Sequence, residues 1–579
     1  MADMGAIAGL AAMLALVVLL VQGRWPASVL FPVWACGFYL SGVVGQADFL
    51  GSFTNPALVT LLLLMMVSLV FDRTAAVESL AGWLLKGSEM SARWRLVSVA
   101  TGLSAFMNNT AVVSVLLSAV TRQRRWSPSR LLIPLSFASI LGGVTTLVGT
   151  STNLVVNSFV IQGGLPAIGM FTPALVGVPV ALACLLVMLL SGRLLPGHGA
   201  GAVTAAESSY FLEAHVAPQS LLIGRSIEDN RLRHLDGLFL VEIVRGGHLI
   251  SPVAPDERLQ AGDILLFAGE SAKFHRLNGF DGLEVFGRRS DDLLRSNLVE
   301  VVISSHSDLP GRTLRDVDFR TMFNAGVVAI RRGERQLSGQ LGRIPLKVGD
   351  GLLLAVGPDF AQHRNIDRHF HVLGDAVHRP RLGGMQSLAA LGAFGLVVAL
   401  ATAGALSLFS GLILLLGAFL ALGWLTPADM RRRFPFELLL VVGAALVISQ
   451  GLDRTGTARL MADGVRAVFD GLGPYGALLG VYLMTVLLTE MVTNNAAAAL
   501  AFPVAVATAA GLGVSPVPFY MVVLYGASAC FLMPFGYQTH LMVMTPGRYK
   551  VGDYLRAGWP VSLVYGLVVL VLVPVFFPF

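Results

Sequence analysis

Apolar runs at residues 4–21, 26–44 and 55–71 are each long enough to cross about 30 Å of hydrocarbon as a helix. In that medium every backbone N–H and C=O must be paired within the chain, so this sequence has to fold as a bundle of membrane helices. Two polar clusters interrupt the apolar stretches: Met107-Asn108-Asn109-Thr110 and Val492-Thr493-Asn494-Asn495, each leading into an Ala/Val/Leu helix. An unbonded amide in an apolar medium costs roughly 2–7 kcal/mol. Two such clusters at matching places predict one ligand site built from two repeats.

The halves superpose as sequences. Phe71-Asp72-Arg73-Thr74 recurs as Leu452-Asp453-Arg454-Thr455, an offset of 381, and Asn109 maps to Asn494, an offset of 385. Gly149-Thr150-Ser151-Thr152-Asn153 maps to Gly536-Tyr537-Gln538-Thr539-His540, an offset of 387. Three landmarks in the same order predict a duplication of residues 1–196 as 385–579. Asp72 and Asp453 read as helix-end caps or ion pairs.

With 55% hydrophobic and 13% charged residues, the chain is far from the roughly 25% charged residues of a soluble domain. A net charge of +6 then reflects arginine-rich loops, and no basic stretch carries the interleaved aromatics of a nucleic-acid surface. Cys36, Cys184 and Cys530 fall in apolar segments, which predicts buried thiols with no disulfide or zinc site. The N-terminal run has no basic residues before it and reads as a retained membrane helix.

Charge sets the topology. Arg24 marks one side, and residues 45–54 contain no Lys or Arg, which puts the N-terminus outside. The stretch 96–120 has Arg93 and Arg95 before it and Arg122, Arg124, Arg125 and Arg130 after it, so it should enter and return as a re-entrant hairpin with its tip at the asparagines. Residues 131–161 should cross with a break at 149–153, and 170–192 should return to the cytoplasm, giving five crossings and one hairpin. That odd count inverts the second half, whose hairpin is 473–509; Arg431-Arg432-Arg433, Arg548 and Lys550 then fall on the cytoplasmic side. The fold class is therefore a polytopic α-helical membrane protein of two inverted repeats, each with a re-entrant hairpin and a broken helix.

Between the halves, 205–378 is charged, with short apolar runs such as Leu238-Phe239-Leu240-Val241. It is duplicated in turn: Gly224-Arg225-Ser226 and Gly311-Arg312-Thr313, Arg245-Gly246 and Arg332-Gly333, and Gly262-Asp263 and Gly349-Asp350 are each 87 apart. Two small cytoplasmic α+β domains, 205–285 and 290–378, are expected.

The Asn-Asn-Thr and Thr-Asn-Asn tips, each followed by a Gly-Thr-x-x-Asn type break, resemble the motifs of the divalent anion:sodium symporter family over both membrane halves. The inserted units look like the C-terminal subdomains of the TrkA potassium-uptake regulator, a pair associated with a sulfate-transporting subgroup. The resemblance implies a homodimer in the cell's inner (plasma) membrane that imports a small divalent anion, sulfate first among them, with sodium as coupling ion and an elevator-type motion. It implies a first sodium site of Ser104, Asn108, Asn109 and backbone near Gly149, and a second of Thr489, Thr493, Asn494 and backbone near Gly536. The implied substrate donors are Asn109, Thr110, Thr152, Asn494, Asn495 and Thr539. Neutral oxygens suit sodium, and amide and hydroxyl donors suit an oxyanion. Asn108 replaces the family's Ser, and His540 its Asn.

Ionisable residues in the membrane segments keep alternatives open. Glu490, four residues before Asn494, reads as functional or as a cap or salt bridge, and His540 as packing or a titratable gate. Proton-coupled dicarboxylate transport, a cation/proton antiporter and an amino-acid exchanger are the competing functions. Arg225, Arg245, Arg312, Arg331 and Arg332 could hold a small anionic effector or simply be solvated. No P-loop, His-Glu-x-x-His, Cys-x-x-Cys or Gly-x-Ser-x-Gly motif occurs, which excludes the common enzyme classes and any organic cofactor they use.

Overall fold

The computed structural model describes residues 2–197 apart from 23, 72–83, 86 and 124, and residues 382–579 apart from 469–471. Between them it describes 210–286 and 298–373, except 233–234, 236–237, 247, 251–252, 270–276, 278–279, 305–306, 318, 333–334, 338–340, 357–359 and 361–365. Asp72 and Gly333 lie outside the described residues.

The chain is a polytopic helical membrane protein. Among the described residues seven helices are long and apolar enough to cross a membrane: Met4–Gln22, Gln46–Phe71, Gly384–Thr402, Phe436–Arg454, Gly473–Met491, Asn494–Leu512 and Val551–Phe576. Element order repeats between the halves. Helices Ala2–Gln22, Ala27–Leu40, Gln46–Phe53 and Pro56–Phe71 have counterparts in Gly384–Thr402, Leu408–Ala421, Pro427–Arg433 and Phe436–Arg454. A helical hairpin follows in each half, Glu89–Ser104 with Asn109–Arg122 and Gly473–Met491 with Asn494–Leu512. Next comes a broken helix, Leu132–Gly143 with Ser151–Gln162 and Val517–Gly526 with Gln538–Met544, and each half closes on a long helix, Ala174–Leu190 or Val551–Phe576.

The breaks differ from the sequence expectation. The first unwound segment is 144–150 and the second 527–537, so Ser151, Thr152 and Asn153, like Gln538, Thr539 and His540, open the next helix. Gly149 and Gly536 serve close approach. A Cβ on Gly149 would lie 2.5 Å from the Gly143 carbonyl oxygen and 3.0 Å from that of Ala105; one on Gly536 would lie 2.6 Å from the Thr489 carbonyl oxygen. Each glycine thus lets a break lie against its own hairpin. The hairpins also differ in length: the arms of the first have 16 and 14 residues, those of the second 19 each.

Small residues put the polar clusters at the centre. Ala496–Ala499 and Ala501 are buried, so the second return helix packs closely, and Phe502 stacks on Phe159 of the first broken helix at 5.1 Å. Tyrosines tie the repeats together: Tyr549 donates to the Ser129 carbonyl (2.7 Å) and accepts from Ile133 N–H (3.0 Å), and Tyr525 donates to the Pro173 carbonyl (2.7 Å). Cys184 and Cys530 are buried, but Cys36 is exposed. Its helix is apolar all round, so an apolar neighbourhood in sequence does not separate the interior face from the outward one.

The insert forms two five-stranded antiparallel sheets of one topology. The first comprises β1 (Tyr210–Val216), β2 (Leu238–Arg245), β3 (His248–Ile250), β4 (Ile264–Gly269) and β5 (Leu283–Phe286), in order β3-β2-β4-β1-β5. The second comprises β6 (Leu298–Ile303), β7 (Ala325–Arg332), β8 (Arg335–Leu337), β9 (Gly351–Val356) and β10 (Phe370–Leu373), in order β10-β6-β9-β7-β8. β2 and β7, β3 and β8, β4 and β9, and β5 and β10 each start 87 residues apart, and the bulges at Leu240/Glu242 and Val327/Ala329 keep that spacing. Helix within the described insert is confined to Phe319–Phe323, Ile366–His369 and single 3₁₀ turns.

Candidate functional site

Each hairpin tip is a polar knot five residues wide. Ser104 ends one arm of the first hairpin and Asn109 begins the other; the Ser104 hydroxyl lies 2.6 Å from the Asn109 amide. In the second hairpin the Thr489 hydroxyl donates to the Asn494 amide oxygen at 3.1 Å, with the same spacing. Both asparagines are buried. Asn108 and Thr493 instead cap the return helices: the Asn108 side chain accepts from Thr110 N–H (3.0 Å), and Thr493 from Ala496 N–H (3.4 Å). Both capping residues are exposed, so neither joins the buried knot the sequence placed it in.

Each tip faces the broken helix of the other repeat. Asn109 meets the Tyr537 hydroxyl at 2.7 Å, and the Thr110 hydroxyl meets Gln538 Oε1 at 3.3 Å. In return the Asn495 amide oxygen accepts from the Ser151 and Thr152 hydroxyls, both at 3.3 Å. The Thr110–Gln538 and Asn495–Ser151 contacts are repeat equivalents, 385 apart on the hairpins and 387 on the breaks. Thr110, Asn495, Ser151 and Gln538 are all half-buried, so their polar groups border accessible space. Each return helix begins at its tip, which places its positive dipole end beside these polar groups.

The breaks are held by side chains. The Asn153 amide donates to the Gly143 carbonyl (3.3 Å) and the Thr146 carbonyl (2.7 Å). His540 is its counterpart and does the same task, its Nε2 donating to the Cys530 carbonyl at 2.8 Å, where Cys530 is the counterpart of Gly143. His540 Nδ1 lies 2.8 Å from the Ser136 hydroxyl, so both ring nitrogens are hydrogen-bonded. The packing reading of His540 therefore fits its surroundings. Thr539 is also bonded to Ser136 (2.9 Å) and buried, away from the tip where the sequence placed it. Its register in the repeat matches Thr152, but the helix turn directs it to the neighbouring Leu132–Gly143 segment.

Glu490 is an anchor. Its carboxylate accepts from the N–H groups of Phe531 (3.0 Å), Leu532 (3.0 Å) and Met533 (2.8 Å), a nest that pins the second break to its hairpin. In the first repeat Ala105 occupies that position, and its carbonyl takes the Thr146 hydroxyl instead.

Sequence reasoning missed Ser139, Ser151, Tyr537 and Gln538. The 387-residue alignment already pairs Gln538 with Ser151, both polar beside a tip, which could have identified those two. Tyr537 pairs with Thr150, a second hydroxyl, and its buried ring reads as packing in sequence.

The arginines proposed for an effector divide into two groups. Arg245 bonds Asp263 (2.9 Å at both contacts), Glu257 (2.8 Å) and the Arg258 carbonyl (2.8 Å). Arg332, its counterpart, bonds Asp350 (2.7 Å twice) and the Pro345 carbonyl (2.8 Å). The carboxylates hold both guanidinium pKa values above the ordinary arginine range, and the pairs brace the Gly-Asp turns. Those two are structural, whereas Arg225 and Arg312 are exposed. Arg331 reaches the membrane half, donating to the Thr545 carbonyl at 3.2 Å, while the Thr545 hydroxyl bonds the Gly349 carbonyl. The second sheet is therefore docked at the end of the helix that carries Gln538.

A duplicated membrane fold whose polar tips meet at its centre is the architecture of a transporter. The chain belongs to the citrate transporter family, whose model matches residues 3–526. It is 32% identical to a putative sulfur deprivation response regulator of Chlamydomonas reinhardtii over 91% of this chain and 94% of that protein. It is also 32% identical to an uncharacterized transporter of Synechocystis, over 91% of this chain and 90% of that one. Sodium/sulfate cotransporter 1 of C. reinhardtii is 29% identical over 61% of this chain and 42% of its own length. The protein is accordingly a multi-pass anion transporter, not an enzyme.

Proposed function

We propose that the protein imports a small divalent oxyanion of the sulfate class by sodium-coupled symport. The observation that carries this reading is the exchange of tips, in which Asn109 and Thr110 meet the second break and Asn495 meets the first. One site then draws on both repeats, as in transporters that bind substrate at a repeat interface. The tips offer amide and hydroxyl donors and two helix N-termini to an anion, and neutral oxygens to a hard monovalent cation. Glu490, the acidic residue at a tip, is committed to three backbone N–H groups, which disfavours a cation/proton antiporter. The names of sodium/sulfate cotransporters among the relatives point the same way.

The two sheets are proposed as TrkA-C-type modules on the cytoplasmic side of the plasma membrane that regulate or assemble a homodimer with an elevator motion. Support comes from their 87-residue repeat and from the Arg331–Thr545 contact with the second broken helix. Replacing 205–378 by a flexible linker tests this. Regulated transport lost with basal uptake kept indicates a regulatory module, dimer and transport lost together indicates a scaffold, and no change rejects both.

Uptake of labelled sulfate into proteoliposomes tests the main reading. An inward sodium gradient is expected to drive accumulation, with thiosulfate, molybdate and succinate as graded competitors. Accumulation driven equally by a proton gradient without sodium would replace sodium by protons.

A further inference from the structure

The Asn109 amide sits between an inner set of oxygens and the outer Tyr537 hydroxyl, and those partners decide which way it faces. With its nitrogen turned inward it donates to the Ser139 carbonyl (3.1 Å) and the Gly149 carbonyl (3.3 Å) and meets Ser104 Oγ (2.6 Å), while its oxygen accepts from the Tyr537 hydroxyl (2.7 Å). With its oxygen turned inward, Ser104 donates to it at 2.6 Å and the outward nitrogen donates to the Tyr537 oxygen at 2.7 Å. The Tyr537 proton then turns to Thr150 Oγ1, 3.5 Å away. Heavy-atom positions do not distinguish an amide nitrogen from its oxygen, so the partners decide.

Those partners favour opposite solutions when the site is empty and when it holds a cation. Without an ion, an inward oxygen would face two carbonyl oxygens with only the Ser104 proton among them, whereas an inward nitrogen brings two protons to those acceptors. With an ion, the inward oxygen completes an all-oxygen set of Ser104, Asn109, Ser139 and Gly149. A turn of the amide needs an outer partner that can both donate and accept. A tyrosine hydroxyl does both. Tyr537 stands 428 residues from Asn109, in the break of the other repeat, and its hydroxyl also interacts with the Asn494 amide.

We propose that Tyr537 is a positioning residue that transmits cation occupancy in the first repeat to the anion-binding break of the second, by reversing its hydrogen bond as the Asn109 amide turns. This inference rests on the sodium-coupled reading above. It differs from a packing role for Tyr537 because it predicts a loss of coupling and not only a loss of stability or rate.

The test measures the sulfate Kd of the purified full-length protein in choline and in saturating sodium. Sodium is expected to tighten sulfate binding in the wild type, and Tyr537→Phe to reduce that sodium-dependent ratio at least about fivefold, the lower end of ordinary coupling between sites. Sodium alone should still raise the thermal stability of Tyr537→Phe. Should that variant not fold, Thr150→Val removes the alternate acceptor for the Tyr537 proton and should reduce the ratio in the same direction. An unchanged ratio in the folded variant overturns the role of Tyr537 while leaving the transport reading intact. No effect of sodium on sulfate binding in the wild type overturns the sodium reading, and the proposal with it.

Discussion

The two hairpin tips follow one plan and are held by different means. Ser104 with Asn109 and Thr489 with Asn494 keep the same five-residue spacing, and each tip reaches the opposite break. The first break is clasped by Asn153 and Thr146, whereas the second is clasped by His540 and pinned by the Glu490 carboxylate. Between the repeats the buried tip asparagine and its hydroxyl partner are kept, while the groups that hold the breaks differ. Ionisable residues in the second repeat took over structural tasks that neutral ones perform in the first.

That comparison can be broken most severely at the tips. Asn109→Ala strands the buried Ser104 hydroxyl, at about 1–3 kcal/mol, whereas after Asn494→Ala the Thr489 hydroxyl still bonds the Ala527 carbonyl. Each also removes a shared ligand group, so sulfate uptake should fall about a hundredfold or more in either, with folded protein recovered in detergent. Unequal effects would show that one tip dominates. The glycines come next. Gly149→Ala and Gly536→Ala drive a methyl group to within 2.5 and 2.6 Å of a carbonyl oxygen, and overpacking of this kind costs about 1–3 kcal/mol, so both should lower Tm and uptake together.

Glu490→Gln sharpens the contrast between anchor and proton carrier. It weakens the charge-assisted bonds to Phe531, Leu532 and Met533 by about 1–2 kcal/mol, read as a lower Tm. The pH profile of uptake should not change; a lost proton-driven component would make Glu490 a carrier. The smallest effect is expected from Arg331→Ala, which removes one bond to Thr545, about 1 kcal/mol, and should alter uptake less than about threefold.

The tips were legible in sequence because amides in hydrocarbon demand a partner, and their pairing across 385 residues identified the repeat. The breaks were displaced by several residues because Gly149 and Gly536 act through close approach, which depends on which carbonyl lies opposite and not on local propensity. Asn108 and Thr493 look identical in composition to ligand groups, and only the start of the return helix assigns them to capping. Tyr537 was invisible because a hydroxyl 428 residues away has no local signature. Arg245 and Arg332 looked free because their carboxylates sit 18 residues on, at Asp263 and Asp350, across strands that only the folded sheet brings together.

The central claim is that two half-sites form one anion site. Titrating sulfate into the purified protein in sodium measures it directly, with Asn109→Ala and Asn494→Ala alongside. One sulfate per chain, lost in either variant, is the predicted result; two sulfates per chain, or full binding retained in one variant, would contradict it.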